Sequence, residues 1–513
     1  MSSPTSRRPS RAGRPKSAHP PAAAEAASAE RSPGSGVPAQ THATAHPLSL
    51  SRLLAERSRG EPSRLLLLEL ESGRAWTVEE IDRYRRSCTG SLAGHGIRPG
   101  DRIAVEAEPC GQTLGWLLAV WDVGAVFQPL LPRLPLPEKQ RLLRGSGARI
   151  VVDPVSETIE KGQPGAVDPE PAEEGTALLF TTSGTSGRPK GVPHTHMAIL
   201  ANLEALGLAW GLTERDRLLS CLPWNHVHGL WIALLGALLH RFPIIQARRF
   251  PGAGPLIEAI DTLRPTLVYG VPTFWSDLTA PETPPPSPAH RLRLAVSGSA
   301  ALSQTIRRRI QERFGVEPLE RYGMTEAGMI LSQRLRADRR NDPGAVPLPG
   351  VEVRTTEEGE LEIRGPSVMR GYWRDANATR EAFRDGWFRT GDLVEREGSG
   401  YRIVGRTSID VIKCRGFKIA APEIEEAILS WADVRECAVI GVPHDRLGEE
   451  IVAWIVPGVG VEIEEEELIR RLRSRLSGSK IPQRFLFVDA LPRTPVGKIA
   501  KSLLRERSKR AAG

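Results

Sequence analysis

The chain has 513 residues, of which 40% are hydrophobic and 25% charged, and a formal net charge of +8 at pH 7. That length exceeds one hydrophobic core and asks for at least two domains, in a composition typical of globular proteins. No apolar run reaches the roughly 18–20 residues that span a bilayer, and no Arg/Lys stripe interleaved with aromatics marks a nucleic-acid surface, so neither a membrane span nor nucleic-acid binding is expected.

Residues 1–45 are rich in Ser, Arg, Ala and Pro, with Glu25 and Glu30 as their acidic residues. Such a segment buries too little apolar area to offset its ordering entropy and is expected to be a disordered basic tail. Cys88, Cys110, Cys221, Cys414 and Cys437 lack metal-ligand spacing, which points to a reducing compartment without a disulfide framework. A cytoplasmic location follows. The mitochondrial matrix is the alternative if the Arg- and Ser-rich start is a transit peptide.

From about residue 62 the chain alternates short apolar strands with helical patterns. RIAVEA (102–107) precedes a helix over GWLLAVWDVGAVF (115–127), and RIVVD (149–153) closes a further unit. HVHGLWIALLGALLH (226–240) reads as a buried helix. TLVYGV (266–271) and RLAVSG (293–298) are strands, PETPPPSP (281–288) a surface loop, and SQTIRRRIQERFG (303–315) a helix. This alternation predicts an α/β fold with largely parallel sheets. Residues 351–404 turn strand-rich and form a small β unit. Beyond Gly405-Arg406 a compact α+β domain is expected from EIEEAILSW (423–431), CAVIGVP (437–443), EIVAWIVP (450–457), IEEEELIRRLRSRL (463–476) and RFLFVD (484–489). The expected domains are therefore 1–45, 46–404 and 405–513.

The most informative stretch is TTSGTSGRPKG (181–191), directly after the apolar run ALLF. Gly184 and Gly187 let the backbone approach a polyanion closely. Thr182, Ser183, Thr185 and Ser186 add hydroxyl donors, and Lys190 adds a point charge. Donors of this kind on one short turn point to a nucleotide polyphosphate. A Ser/Gly linker has no need of Pro189-Lys190-Gly191, and Pro189 also separates the stretch from the GxxxxGK[ST] loop.

Downstream come RYGMTE (321–326), RTGD (389–392), GRTSIDVIK (405–413) and PRTPVGK (492–498). With the opening loop, their order and spacing resemble the adenylate-forming (AMP-binding) superfamily over about residues 48–505. That superfamily contains acyl-CoA synthetases and carrier-protein adenylation domains. The resemblance implies a two-step reaction in which ATP converts a carboxylate to an acyl-adenylate and a thiol then displaces AMP. Its cofactors are ATP and Mg²⁺, with CoA as co-substrate. It implies that Thr182, Ser183, Gly184, Thr185, Ser186, Gly187 and Lys190 hold the β- and γ-phosphates. Thr325 contacts the α-phosphate, and Glu326 ligates Mg²⁺. Tyr322, within Tyr322-Gly323-Met324, gives adenine an aromatic face opposite Ser299-Ala300. Asp392 takes the ribose hydroxyls, Arg406 reaches ribose or phosphate, and Lys498 bridges carboxylate and phosphate during adenylation. A bland reading of YGMTE is a loop entering a helix with Thr-Glu near its N-terminus. The family also implies a mobile C-terminal domain, with a hinge near Ser408 or Ile409.

LPWNHVHGL (222–230), GVPTFW (270–275) and RLAVSGSAAL (293–302) resemble malonyl-CoA synthetases. Arg293 is the candidate reader of a second substrate carboxylate, since a desolvated guanidinium needs a partner. His226 and His228 are candidate pocket walls. Three stretches depart from the subgroup: AGMI (327–330), PGAVPLPG (343–350) and Cys414-Arg415-Gly416. The implied partners are a small carboxylic acid and CoA. Alternatives are a synthetase for another small, medium-chain or aromatic acid, and a stand-alone enzyme loading a carrier protein in trans.

Overall fold

The strands Arg102–Glu106, Leu267–Gly270 and Leu294–Gly298 are apolar at consecutive positions because they lie inside their sheets, with both faces covered. The computed structural model describes residues 50–162, 175–182, 189–287, 292–335, 343–406, 410–414, 417–444, 447–458, 460–493 and 499–510. The expected tail over 1–45 lies outside them. Among the described residues, no helix is long and apolar enough to cross a membrane.

Two sheets carry the large N-terminal part. In the first, Leu319–Met324, Leu294–Gly298, Leu267–Gly270, Leu218–Ser220, Ile244–Gln246 and Leu65–Glu69 run parallel, with antiparallel strands at both edges. In the second, Ile150–Asp153, Arg102–Glu106, Val126–Leu130 and Thr176–Thr182 run parallel, and Lys190–Thr195 returns antiparallel to Thr176–Thr182. In open parallel sheets ligands collect at the carboxyl ends of the strands. Thr182, Ser299 and Met324 all lie at such ends. Residues 352–406 form a third, antiparallel sheet that also carries the helix Ala376–Ala382.

Local chemistry sets the helix bounds. Ser303 Oγ accepts from Ile306 N (3.3 Å), and Gly315 at φ 69° ends the helix Gln304–Phe314, as the sequence predicts. The helix expected over 115–127 instead spans Gly111–Asp122. Gly124 at φ 70° turns the chain, and Val126 and Phe127 enter a strand. The apolar run had hidden a helix-to-strand junction. The buried helix expected over 226–240 is present, but His228–Leu235 is wound as a π-helix before an α-helical turn over Gly236–His240.

The smaller C-terminal part has its own sheet, beginning at Val411. Its strand Val434–His444 alternates between two cores. Cys437 and Val439 pack with Ile424, Ile428, Leu468 and Leu472, whereas Ala438, Ile440 and Val442 pack with Leu491 and Leu504. The helix Lys501–Arg510 covers that second face. At its start, buried Lys501 Nζ bonds Asp410 Oδ1 (2.5 Å) and Glu425 (2.8 Å), and these two carboxylates hold its pKa above the usual lysine range.

Removing one member of a buried ion cluster strands the others' charge, whereas an exposed pair is worth little. Lys501→Met should therefore destabilise the fold by about 3 kcal/mol and lower the thermal midpoint. Lys480→Met, which breaks the half-exposed pair with Glu423, should leave it nearly unchanged.

Candidate active site

The Ser/Gly-rich stretch connects two paired strands. Thr182 stands opposite Lys190, and Thr181 opposite Gly191. Ser183, Gly184, Thr185, Ser186 and Gly187 lie outside the described residues. Lys190 Nζ stands 4.6 Å from the ring centroid of Tyr372, over its face. Gly191 is needed for this approach, because a Cβ there would stand 2.8 Å from Trp373 Cβ. Its carbonyl accepts from Trp373 N (2.8 Å).

RYGMTE forms one arm and the turn of a β-hairpin. Leu319–Met324 pairs antiparallel with Gly328–Ser332, and no helix follows Thr325-Glu326. Gly328 takes φ 68°, and a Cβ on Gly323 would stand 2.3 Å from the Gly328 carbonyl, so both glycines are required by the turn. The hairpin meets three neighbours, two through its side chains and one through its backbone. Tyr322 Oη donates to Asp392 Oδ2 (2.5 Å), and Tyr372 Oη donates to buried Glu326 Oε1 (3.1 Å). His194 Nε2, from the other sheet, is 2.7 Å from the Thr325 carbonyl. A carbonyl only accepts, so that nitrogen carries the proton. Burial holds the imidazole neutral by pushing its pKa down to about 4.

Buried Asp392 sits on the long strand Trp387–Glu397, opposite Arg406 in register. Its turn is fixed by Glu360, which accepts from Gly391 N (3.1 Å) and Arg389 Nη2 (2.9 Å). Arg406 is described only in its backbone. Lys498 lies outside the described residues, and the antiparallel bridge between Arg493 and Ile499 brackets its segment. Ser299 and Ala300 are exposed at the carboxyl end of Leu294–Gly298, with Ser299 at φ 72°.

Arg293 does not take the place expected of it. Its Nε and Nη2 donate to the two carboxylate oxygens of buried Asp216, each at 2.8 Å, and Nη1 donates to the Trp210 carbonyl (3.0 Å). It precedes the strand whose far end carries Ser299, and six extended residues span about 20 Å. An internal carboxylate thus satisfies the guanidinium at the opposite sheet edge, which corrects its assignment as a substrate reader.

The cation that does face this edge is Arg321, inside the hairpin motif but not singled out from sequence. Its strand register sets it against Gly298, where a Cβ would stand 2.4 Å from the guanidinium carbon. Nη2 reaches Ser299 Oγ at 3.4 Å, and Nε has no hydrogen-bond partner among the described residues. Desolvation pushes its pKa down to about 9, with no carboxylate among the described residues offsetting it. The signal available in sequence was an arginine flanking Tyr322 where a sheet interior was expected.

His228 is buried at the start of the π-helix and lies parallel to Tyr269, with ring centroids 6.2 Å apart. Gly229 allows this turn, since a Cβ there would stand 2.2 Å from the Pro223 carbonyl. His226 Nε2 is 3.1 Å from Asn225 Nδ2. Among the described residues, no group of three His, Cys, Asp or Glu side chains could hold a metal ion by itself.

Residues 54–373 match the AMP-binding enzyme family, and residues 423–498 match the AMP-binding enzyme C-terminal domain. A feruloyl-CoA synthase of Amycolatopsis sp is 34% identical over 466 residues, covering 85% of this chain and 94% of the relative. A malonate–CoA ligase of Arabidopsis thaliana is 32% identical over 486 residues, covering 82% and 80%. The crystal structure of ATP-bound MatB from Rhodopseudomonas palustris superposes with a TM-score of 0.80 at 30% identity, covering 91% of this chain and 99% of that one. The chain belongs to the AMP-binding enzyme family and is an acid–CoA ligase.

Proposed function

We propose that the acid is a small dicarboxylate of the malonate class, activated with ATP and Mg²⁺ and transferred to CoA. The observation that carries this reading is Arg321, a buried guanidinium at the carboxyl edge of the parallel sheet with no acidic neighbour among the described residues. At neutral pH it remains a cation, and a buried cation is costly unless paired. A second substrate carboxylate supplies the missing charge and matches the planar fork of donors. The malonate–CoA ligase among the relatives supports the same class.

The reacting carboxylate oxygen attacks the α-phosphorus of ATP, and the bond to pyrophosphate breaks. The CoA thiolate then attacks the acyl carbon and AMP leaves. Lys190 and the adjoining loop neutralise the β- and γ-phosphates, and Thr325 meets the α-phosphate. Asp392 keeps lone pairs for the ribose diol while accepting from Tyr322, which fixes the ring that faces adenine. Glu326, oriented by Tyr372, would hold Mg²⁺ as a hard oxygen ligand. Mg²⁺ supplies charge neutralisation on the leaving pyrophosphate. Lys498 acts near the new acyl–phosphate bond, and His228 and His226 wall the acyl pocket. Arg406 reaches ribose or phosphate.

Pyrophosphate release over malonate, methylmalonate, acetate, octanoate, benzoate and ferulate, each with and without CoA, decides the class. Acetate, octanoate or ferulate outperforming malonate would refute the dicarboxylate reading, and indifference to CoA would favour a carrier protein. Arg321→Met should raise the KM for malonate about 100-fold, because a charged hydrogen-bonded partner is lost, and should spare acetate. Gly298→Ala should act in the same direction by displacing the guanidinium. Arg293→Ala should lower thermal stability and change all acids alike. Lys498→Ala should abolish adenylation yet leave thioester formation from a supplied acyl-adenylate largely intact.

A further inference from the structure

Tyr372 belongs to none of the motifs that mark the family in this sequence, yet it touches two of the groups on which the proposed chemistry depends. Its ring face lies under the Lys190 ammonium, at 4.6 Å from the centroid, and its hydroxyl donates to Glu326 Oε1 at 3.1 Å. The backbone on either side is fastened to the same two elements. Met369 N donates to the Glu326 carbonyl (2.8 Å), and Trp373 N donates to the Gly191 carbonyl (2.8 Å). Tyr372 N itself donates to Thr379 Oγ1 (2.9 Å). Five consecutive residues therefore form a strap tied to the RYGMTE turn at one end and to the phosphate-loop hairpin at the other.

We propose that Tyr372 is a positioning residue that sets the metal-binding carboxylate and the phosphate-binding lysine with one side chain. The inference rests on the reading of Glu326 as the metal ligand and Lys190 as the phosphate cation. The hydroxyl removes one rotational freedom from the carboxylate, which would then meet the metal in one orientation. The ring attracts the ammonium electrostatically without neutralising it, so the full charge remains available to phosphate.

The two contacts separate by substitution. Tyr372→Phe keeps the ring and deletes the bond to Glu326, while Tyr372→Leu deletes both. Mn²⁺ serves as the metal probe, titrated into the ATP-bound protein and followed by its paramagnetic resonance. Tyr372→Phe should weaken Mn²⁺ binding about tenfold, the size expected for a hydrogen bond to a charged group, with the KM for ATP at saturating metal unchanged. Tyr372→Leu should weaken Mn²⁺ equally and also raise the KM for ATP about fivefold through the lost cation–π contact. Wild-type Mn²⁺ affinity in Tyr372→Phe, or identical ATP behaviour in the two variants, overturns the proposal. Glu326→Gln is the control. If it binds Mn²⁺ normally, the metal reading itself fails, and if it loses Mn²⁺ while Tyr372→Phe does not, only the role of Tyr372 fails. A thermal midpoint unchanged in Tyr372→Phe ensures that its loss is read as positioning.

Discussion

Two parallel sheets that share no strand bring their carboxyl edges together, and hydrogen bonds between those edges help to hold the arrangement. One is the 2.7 Å contact from His194, on the phosphate-loop hairpin, to the Thr325 carbonyl in the neighbouring sheet. The others run through the strap from Met369 to Trp373. Each is short and shielded from water, where a hydrogen bond is stronger and its loss costlier. The neutral state of His194 belongs to the same design, since burial disfavours a charged imidazole there.

The electrostatics follow from this meeting of edges. Asp392 and Glu326 are both buried, and each accepts a hydrogen bond from a tyrosine hydroxyl. A phenol orients a carboxylate without consuming its charge. Arg321 is the converse, a cation left with a weak contact to Ser299 in a sheet interior. By contrast Arg293 is paired with Asp216, and Lys501 lies between Asp410 and Glu425.

Much of this was readable in the chain, where the relevant physics is local. RLAVSG announces a buried strand through continuous apolar side chains, and the Ser303 cap and Gly315 stop bound a helix through residues next to it. What failed was long-range. Arg293 looked unpartnered because Asp216 lies 77 residues earlier in the chain. Arg321 was passed over because its isolation depends on a strand register that sets it against Gly298. Tyr372 meets Lys190 and Glu326 only through tertiary packing, so no spacing signals it. The helix expected over 115–127 overruns the true end at Asp122 because Val126-Phe127 continues the same apolar run after Gly124.

Lys501 has a mechanical consequence. It fastens Asp410 to Glu425 on the C-terminal helix Ala421–Leu429, whereas Arg406 is in register with Asp392 on the third sheet. The chain between these two anchors is four residues of reach, at most about 14 Å when extended. That reach caps the separation of Arg406 from Asp410, so the ion cluster that starts the C-terminal part is held within one short span of the strand that carries Asp392.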